Sequence, residues 1–401
     1  MTNLDAAAEA KLAEIETIAE QVLAAQPENA DAHHALGLIR MRQARWRSAA
    51  GLLQSARNSE PGRPEFTRNY LHALNGLARF EIDKGAYGEA RAALAQALNC
   101  RPGDTDFLCR MSFVLSRMGR AHEALAAAQL AILGATELPE PEDKAGLAYL
   151  AMGKSGLAVQ AFGRAVDKDP GYAAAHVNLG NASLGAGDAE TAASHYDRAI
   201  NLDPANAQAF SNLGLARAAQ HRWTDAENAL RQAIKSDPKF PEAHFNLSRI
   251  LLMEGNYEEG WIENEWRWKC HDFPSSWRQF PYPQGQGEPL KGRRVLVWSE
   301  QGIGDEIMFA NPIPDLLASG AELVLECNDR LAPIFQRSFP DAAVVARSDP
   351  PSGLIDGAGI DYQAPMASLC TYLRSSKISF TANRGRYLEP EPTRVAELRT
   401  R

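Results

Sequence analysis

Apolar residues recur along this chain of 401 residues at a fixed interval of 34. Two series of alanines keep this spacing, as do a set of prolines and a Leu-Gly pair. The positions are Ala90, Ala124, Ala158, Ala192 and Ala226; Ala97, Ala131, Ala165, Ala199 and Ala233; Pro170, Pro204 and Pro238; and Leu179-Gly180 with Leu213-Gly214. A period of this length indicates stacked copies of one supersecondary unit.

The pattern inside each period predicts two amphipathic helices. In residues 173–206, small residues such as Gly180 and Ala192 fall where two helices would cross closely, and Tyr196 follows four residues after Ala192. Pro204 ends the second helix because proline lacks the amide hydrogen that a helix interior requires. Each unit is therefore a helix pair that packs against its neighbours.

Counting in register divides the chain into a repeat array and a different C-terminal part. The units fall at 30–63, 71–104, 105–138, 139–172, 173–206 and 207–240, with a seventh from 241. Residues 64–70 are an insertion. Residues 1–29 are expected to contain a helix that covers the first repeat, and the array is expected to run over 30–274 as an α-solenoid with a concave binding face.

Tryptophan and proline mark the end of the array. Four of the seven tryptophans lie between 261 and 277, and a segment rich in Pro and Gly follows at 275–292. Aromatic residues at this place are expected to seal the last apolar face and to dock the next domain. Stacking on a sugar is the alternative role for them.

Residues 293–401 show another pattern. Strands are predicted at 293–300, 321–327 and 342–346, and helices at 306–317 and 331–338. Alternating strands and helices imply a parallel sheet with right-handed crossovers. This part is predicted to be one Rossmann-like α/β domain.

Composition and charge narrow the partners and the compartment. The chain is 45% hydrophobic and 23% charged, and 42 basic against 50 acidic residues leave a net charge of -8, so a nucleic acid is not the expected partner. No apolar stretch is long enough to span a bilayer, and the acidic, Ala-rich start does not resemble a signal peptide, so we expect a cytoplasmic protein without membrane insertion. Five scattered cysteines without a C-x-x-C pair predict neither a disulfide framework nor a metal site.

The turn after the first predicted strand holds the candidate chemistry. A dinucleotide fingerprint would need a third glycine where Ile307 stands, and two carboxylates would face the pyrophosphate, so no cofactor is expected. Asp305 lies at the carboxyl end of a strand, where open α/β sheets place their active sites, and it is the candidate general base. A helix cap is the alternative role for Asp305. The other residues of the predicted cleft loop are Gln301, Gly302, Gly304 and Glu306.

One polar position recurs within the array. Asn178, Asn212 and Asn246 occupy the same place in three successive first helices. Because a carboxamide both donates and accepts, a row of them can bind the backbone of an extended polypeptide. Alternatively, these side chains tie adjacent repeats together or meet water.

These motifs resemble known families. The L-G pair, the A-x-x-x-large pattern and the terminal proline resemble the tetratricopeptide repeat, and the asparagine row resembles the ladder of eukaryotic O-linked N-acetylglucosamine transferases. The stretch WSEQGIGDEIMFA, with GEPLKGR and GWIENEWRW before it, is similar to bacterial tetratricopeptide-repeat glycosyltransferases, whose catalytic half is heptosyltransferase-like. In that family the Asp of the G-x-G-D turn is the usual candidate base, and Asp305 is the matching residue.

The resemblance implies a function and a fold. It implies a protein O-glycosyltransferase that holds a polypeptide acceptor, flagellin being one candidate, and transfers a sugar from a nucleotide-sugar donor to Ser or Thr without a metal. Residues 293–401 would be the acceptor-side, N-terminal half of a GT-B-type domain. The second half, which binds the donor, is expected beyond residue 401, and these 401 residues alone are expected to be inactive. The competing hypothesis is a non-catalytic adaptor or chaperone that binds a client protein.

Overall fold

The computed structural model describes residues 3–348, 351–353, 355, 359–380 and 386–400. The chain divides into two compact units, residues 1–204 and 205–401. The division falls between the fifth and sixth predicted repeats. Each unit is described by itself below.

Helix pairs confirm the predicted repeat in both units. α1 (Asn3–Ala25) precedes them. The first helices of the repeats are α2 (Ala30–Arg42), α4 (Pro64–Asp83), α6 (Thr105–Arg117), α8 (Glu140–Ala151), α10 (Ala173–Gly185), α12 (Ala207–Ala219) and α14 (Pro241–Glu254). The second helices are α3 (Trp46–Ser59), α5 (Tyr87–Cys100), α7 (Ala121–Gly134), α9 (Ser155–Lys168), α11 (Ala189–Leu202), α13 (Trp223–Ser236) and α15 (Tyr257–Asn264).

Glycine allows the two helices of a repeat to approach closely. A Cβ atom built on Gly180 in α10 would lie 2.5 Å from the Tyr196 ring of α11, and one on Gly146 would lie 2.4 Å from the Phe162 ring. Tyr196 and Phe162 are fully buried. The spacing of small and large residues therefore fixes how each pair packs.

In the first unit, two features lie at the start of the repeats. α1 packs on α2 through Ala19, which is buried against Ala32 and Leu36. The insertion 64–70 forms the beginning of α4, which has 20 residues where α6 and α10 have 13. The extra residues therefore lengthen a helix and leave the packing of α4 on α5 in register.

The second unit contains a four-stranded parallel sheet after its two repeats. The strands are β1 (Arg294–Trp298), β2 (Glu322–Cys327), β3 (Ala342–Ala346) and β4 (Tyr362–Pro365). Their order is β3-β2-β1-β4, and Val295 of β1 pairs with Leu323 on one side and Tyr362 on the other. The predicted parallel sheet is confirmed, and its assignment to a Rossmann-like domain stays a prediction.

The helices around the sheet differ in part from the prediction. A single helix over 306–317 is wrong, because two short helices, α16 (Ile303–Phe309) and α17 (Ile313–Ala318), occupy this stretch. Pro312 separates them, since proline disfavours helical backbone at the residue before it. The remaining helices are α18 (Ala332–Ser338), α19 (Leu369–Leu373) and α20 (Pro392–Arg399).

The segment rich in Pro and Gly lies along the edge of the sheet. The Gln363 N–H of β4 donates to the Pro283 carbonyl at 2.9 Å, and the Gly285 N–H donates to the Gln363 carbonyl at 3.0 Å. Residues 283–285 thus cover the outer side of β4, which would otherwise present unpaired backbone groups.

Candidate functional site

A cleft of about 650 Å³ opens within the second unit, between the last repeat and the carboxyl end of β1. Its walls are mainly apolar, and its polar groups include Asp305 and Arg249. The lining residues are Phe245, Arg249, Leu252, Met253, Tyr257, Trp261, Asn264, Gln301, Asp305, Met308, Phe309, Asn311, Pro312, Cys370, Arg374, Phe380 and Tyr387. A concave, apolar space with few polar groups is the usual form of a ligand site.

Asp305 lies in the first turn of α16 and faces this cleft. The Gly302 N–H donates to its Oδ2 at 3.2 Å, so Asp305 also caps the helix. This hydrogen bond fixes the carboxylate at the mouth of the turn, and the side chain stays half-buried. The two roles considered for Asp305 are therefore compatible in one geometry.

Gln301 precedes the capped turn in an unusual backbone conformation. Its φ is 62°, in the left-handed region that residues other than glycine seldom adopt. The Gln301 N–H donates to Ser275 Oγ at 2.7 Å, which holds the turn in place. Strain of this kind concentrates at functional sites, and Gln301 lines the cleft beside Asp305.

The other predicted loop residues take different positions. Glu306 is buried and accepts a hydrogen bond from the Asn328 N–H at 2.8 Å, away from the cleft lining. Burial raises the pKa of its carboxyl group. Gly302 and Gly304 are exposed on the turn and are not among the lining residues.

The three asparagines divide between the units. Asn178, in the first unit, donates from Nδ2 to Asp143 Oδ1 at 2.6 Å, across adjacent repeats. In the second unit, Asn246 Nδ2 donates to Ser211 Oγ at 3.5 Å, again across repeats. Asn212 is buried, and its Oδ1 accepts from Gln208 Nε2 at 2.9 Å within the same helix. Two of the three side chains thus link neighbouring repeats.

Asn246 is connected to the cleft through α14. Arg249 lies three residues after Asn246 and Met253 four residues further, so all three share one face of the helix. Arg249 and Met253 line the cleft. The helix that carries the last asparagine therefore also forms one wall around Asp305.

A buried ion pair supports the cleft, and sequence reasoning missed it. Arg267 and Glu300 are almost fully inaccessible, and their bidentate contact joins Nε to Oε2 and Nη2 to Oε1, each at 2.9 Å. The Ala367 N–H donates to Glu300 Oε1 at 2.9 Å, and Arg267 Nη2 donates to Ser368 Oγ at 2.9 Å. Burial raises the pKa of Glu300, and the guanidinium opposes that effect.

The tryptophans after the array pack between elements. Trp261 Nε1 donates to the Arg374 carbonyl at 2.9 Å. The Trp268 ring lies 5.5 Å from the Trp298 ring of β1, and His244 stacks on Trp266 at 3.9 Å. These contacts agree with the predicted packing of the last repeat on the sheet.

The described residues contain neither a metal-ligating cluster nor a membrane-spanning helix. No group of three or more His, Cys, Asp or Glu residues among them is arranged to hold a metal ion. No helix within the same residues has the length and apolar character needed to cross a membrane.

Comparison with known proteins identifies the repeats. The model of the tetratricopeptide repeat family matches residues 144–207 and 211–260, so these stretches carry tetratricopeptide repeats. Protein FlbA of Caulobacter vibrioides is 35% identical over 164 residues, which cover 38% of this chain and 27% of FlbA. The chain therefore aligns with about a quarter of the length of this relative.

Solved structures of repeat proteins are similar to the chain over part of its length. A tetratricopeptide repeat protein from Parabacteroides merdae is 14% identical, with 58% of this chain and 90% of that one covered and a TM-score of 0.48. A thermophilic repeat protein from Thermus thermophilus is 19% identical, with 45% and 99% covered and a TM-score of 0.43. YrrB, described as having an unusual peptide-binding site, is 20% identical, with 48% and 95% covered and a TM-score of 0.36.

Proposed function

We propose that the protein is an O-glycosyltransferase that binds a polypeptide on its repeats and presents a Ser or Thr hydroxyl to Asp305. The observation that carries this proposal is the shared use of α14, which bears Asn246 and which also lines, through Arg249 and Met253, the same cleft as Asp305. A peptide held by the asparagine would lead directly to the carboxylate. Flagellin is the candidate acceptor that the family resemblance implies.

The chemistry assigned to Asp305 is proton transfer. As the acceptor oxygen attacks the anomeric carbon of a nucleotide sugar, the Asp305 carboxylate accepts the hydroxyl proton and the bond from that carbon to the nucleotide phosphate breaks. The nucleotide leaves with the bonding electrons. A positioned base of this type contributes about 10²–10⁴-fold to a rate.

Substitution of Asp305 tests the assignment. The substitution Asp305→Asn is made in the protein as its gene encodes it. Asparagine keeps an oxygen that can accept from the Gly302 N–H, but it cannot act as a base. Sugar transfer to an acceptor should therefore fall by about 10²-fold or more. Acceptor binding should stay unchanged. The measurement is incorporation of labelled sugar beside the dissociation constant of the acceptor, and Asp329→Asn is the control on an exposed carboxylate of the same unit.

The outcomes separate the two candidate functions. Transfer that persists in Asp305→Asn contradicts the role of Asp305 as base. Acceptor binding by the wild-type protein without transfer of any sugar would favour the alternative adaptor or chaperone function.

A further inference from the structure

We infer that the cleft selects acceptors in which the Ser or Thr is flanked by a bulky apolar residue on one side and an acidic residue on the other. This inference rests on the proposed function, because it takes the occupant of the cleft to be a polypeptide. It specifies the acceptor side chains that flank the Ser or Thr, which backbone binding by the asparagine row does not determine.

The apolar preference follows from two methionines on two different helices that line the cleft. Met253 of α14 is 64% exposed and Met308 of α16 is 55% exposed, and both line the cleft. Phe380, which is 37% exposed, belongs to the same lining. Large apolar side chains grouped at one exposed place mark a binding surface, and methionine adapts its shape to different apolar partners.

The acidic preference follows from Arg249. This side chain is exposed at the cleft and makes no hydrogen bond or ion pair with any residue that the structure describes. The second guanidinium of the lining, that of Arg374, is already bound to Asn311 Oδ1 at 2.7 Å and to Asp315 Oδ2 at 2.5 Å. Arg249 is therefore the cation available to a carboxylate of the acceptor.

The spacing on the two helices places these preferences around the hydroxyl. Asp305 and Met308 are three residues apart on α16, and Arg249 and Met253 are four apart on α14, so each helix presents one charge and one methionine on one face. Because all four residues line one cleft, a peptide whose hydroxyl lies at Asp305 would present its flanking side chains to the methionines and to Arg249. An extended chain entering from Asn246 meets Arg249 first.

Matched peptides test this selection by fluorescence anisotropy with the whole chain. Each probe is a labelled peptide of Gly, Ala and Asn around one Ser, with Leu on one side and Asp on the other, made in both orders. In the second probe Asn replaces Leu, and in the third Lys replaces Asp. The better order of the first probe should bind about tenfold more tightly than its Leu-to-Asn counterpart, the affinity that burial of one such side chain supplies.

Protein variants assign each preference to its residue. Replacing both methionines, by Met253→Gln and Met308→Gln, should bring the Leu and Asn probes to nearly equal affinity, whereas Leu133→Gln, at an exposed position of α7, should change nothing. Arg249→Asp should reverse the preference so that the Lys probe binds better than the Asp probe, by about threefold at low salt.

Three results would overturn the inference. The first is equal binding of all probes to the wild-type chain, which would leave peptide capture intact and remove the selection. The second is an unchanged ratio of affinities in the variants. The third is the lack of binding of any probe, which would contradict the proposed function itself and this inference with it.

Discussion

At the scale of single residues, the backbone of Gln301 distinguishes the cleft from the repeats. Ala44 and His221 also have positive φ, but they stand in turns between the two helices of a repeat, where other repeats use a glycine such as Gly119 at φ 74°. Gln301 belongs to no such series. Its strain is therefore specific to the turn that positions Asp305.

Relief of this strain should raise the stability of the protein and lower its transfer activity. Gln301→Gly removes a left-handed conformation that costs a side-chain-bearing residue roughly 1–2 kcal/mol, so the free energy of unfolding should rise by about 1 kcal/mol. Transfer should fall, because the carboxamide leaves the cleft. Urea denaturation and a transfer assay measure the two effects.

The control for this variant is Gln279→Gly, an exposed residue whose φ is not positive. It should lower stability slightly, because glycine gains more freedom in the unfolded chain. A loss of stability in Gln301→Gly equal to that of the control would contradict the assignment of strain.

At the residue scale, the sequence predicted the position of Asp305 but not its surroundings. The rule that chemistry lies at the carboxyl ends of parallel strands leads to this residue directly. The φ of Gln301 has no sequence signal, because glutamine has no preference for the left-handed region. Glu306, its neighbour in the chain, turns into the protein because successive helix positions point in different directions.

At the scale of elements, a contact between a glycine and a large side chain recurs in several of the helix pairs. The Gly180 and Tyr196 contact and the Gly146 and Phe162 contact both join residues 16 apart in sequence. Gly214 repeats the arrangement, since its Cβ would lie 2.6 Å from Leu230. The periodic sequence therefore encodes the distance between the helices as well as their presence.

Addition of one methyl group tests this contact. Gly180→Ala should lower the free energy of unfolding by about 1–2 kcal/mol, because overpacking against Tyr196 outweighs the gain in helix propensity. Gly163→Ala in α9, where a Cβ meets no atom within 4 Å, should instead raise stability by about 1 kcal/mol. Thermal unfolding followed by circular dichroism compares them, and equal gains in both variants would contradict the packing account.

The elements show why some predictions succeeded and others failed. The repeats were readable because their signals recur many times, so that chance deviations in one unit do not hide the pattern. The break at Pro312 also had a sequence signal, since proline constrains the residue before it, but the prediction of one helix over 306–317 overlooked that signal. β4 was not, because a strand of four residues that ends in Pro365 has too short an apolar pattern.

At the scale of the whole molecule, the second unit joins its last repeat to its sheet through one buried network. Arg267 follows α15 and Glu300 follows β1, and the two residues are 33 positions apart in the chain. Leu252 and Trp261 pack into the same core as Val297 of the sheet. The repeat and the sheet of this unit therefore share one core, and Arg249 and Asp305 line a single cleft.

Loss of the Arg267 guanidinium should strongly lower the stability of the second unit. Arg267→Met leaves Glu300 buried without its partner, which should cost about 3–5 kcal/mol. Replacing both residues, by Arg267→Met and Glu300→Leu, should recover much of this loss because no charge stays buried. Tryptophan fluorescence in urea measures it, and a single variant as stable as the wild type would contradict the structural role of the pair.

The sequence could not predict this pair. Arg267 stands among aromatic and acidic residues that read as an amphipathic helix, and charged residues are normally expected at the surface. Only the folded chain brings the two motifs together. Arg267 belongs to the motif GWIENEWRW and Glu300 to the motif WSEQGIGDEIMFA. The contact between them gives a physical reason for the two motifs to occur together, as the family resemblance had them.

Photo-crosslinking tests the central claim, delivery of a polypeptide to Asp305, most directly. A Ser-containing peptide with Leu replaced by benzoylphenylalanine is irradiated with the whole chain, and the adducts are mapped by mass spectrometry. The account predicts adducts at Met253 or Met308, which disappear when excess unlabelled peptide competes. Adducts confined to residues outside the cleft would contradict it.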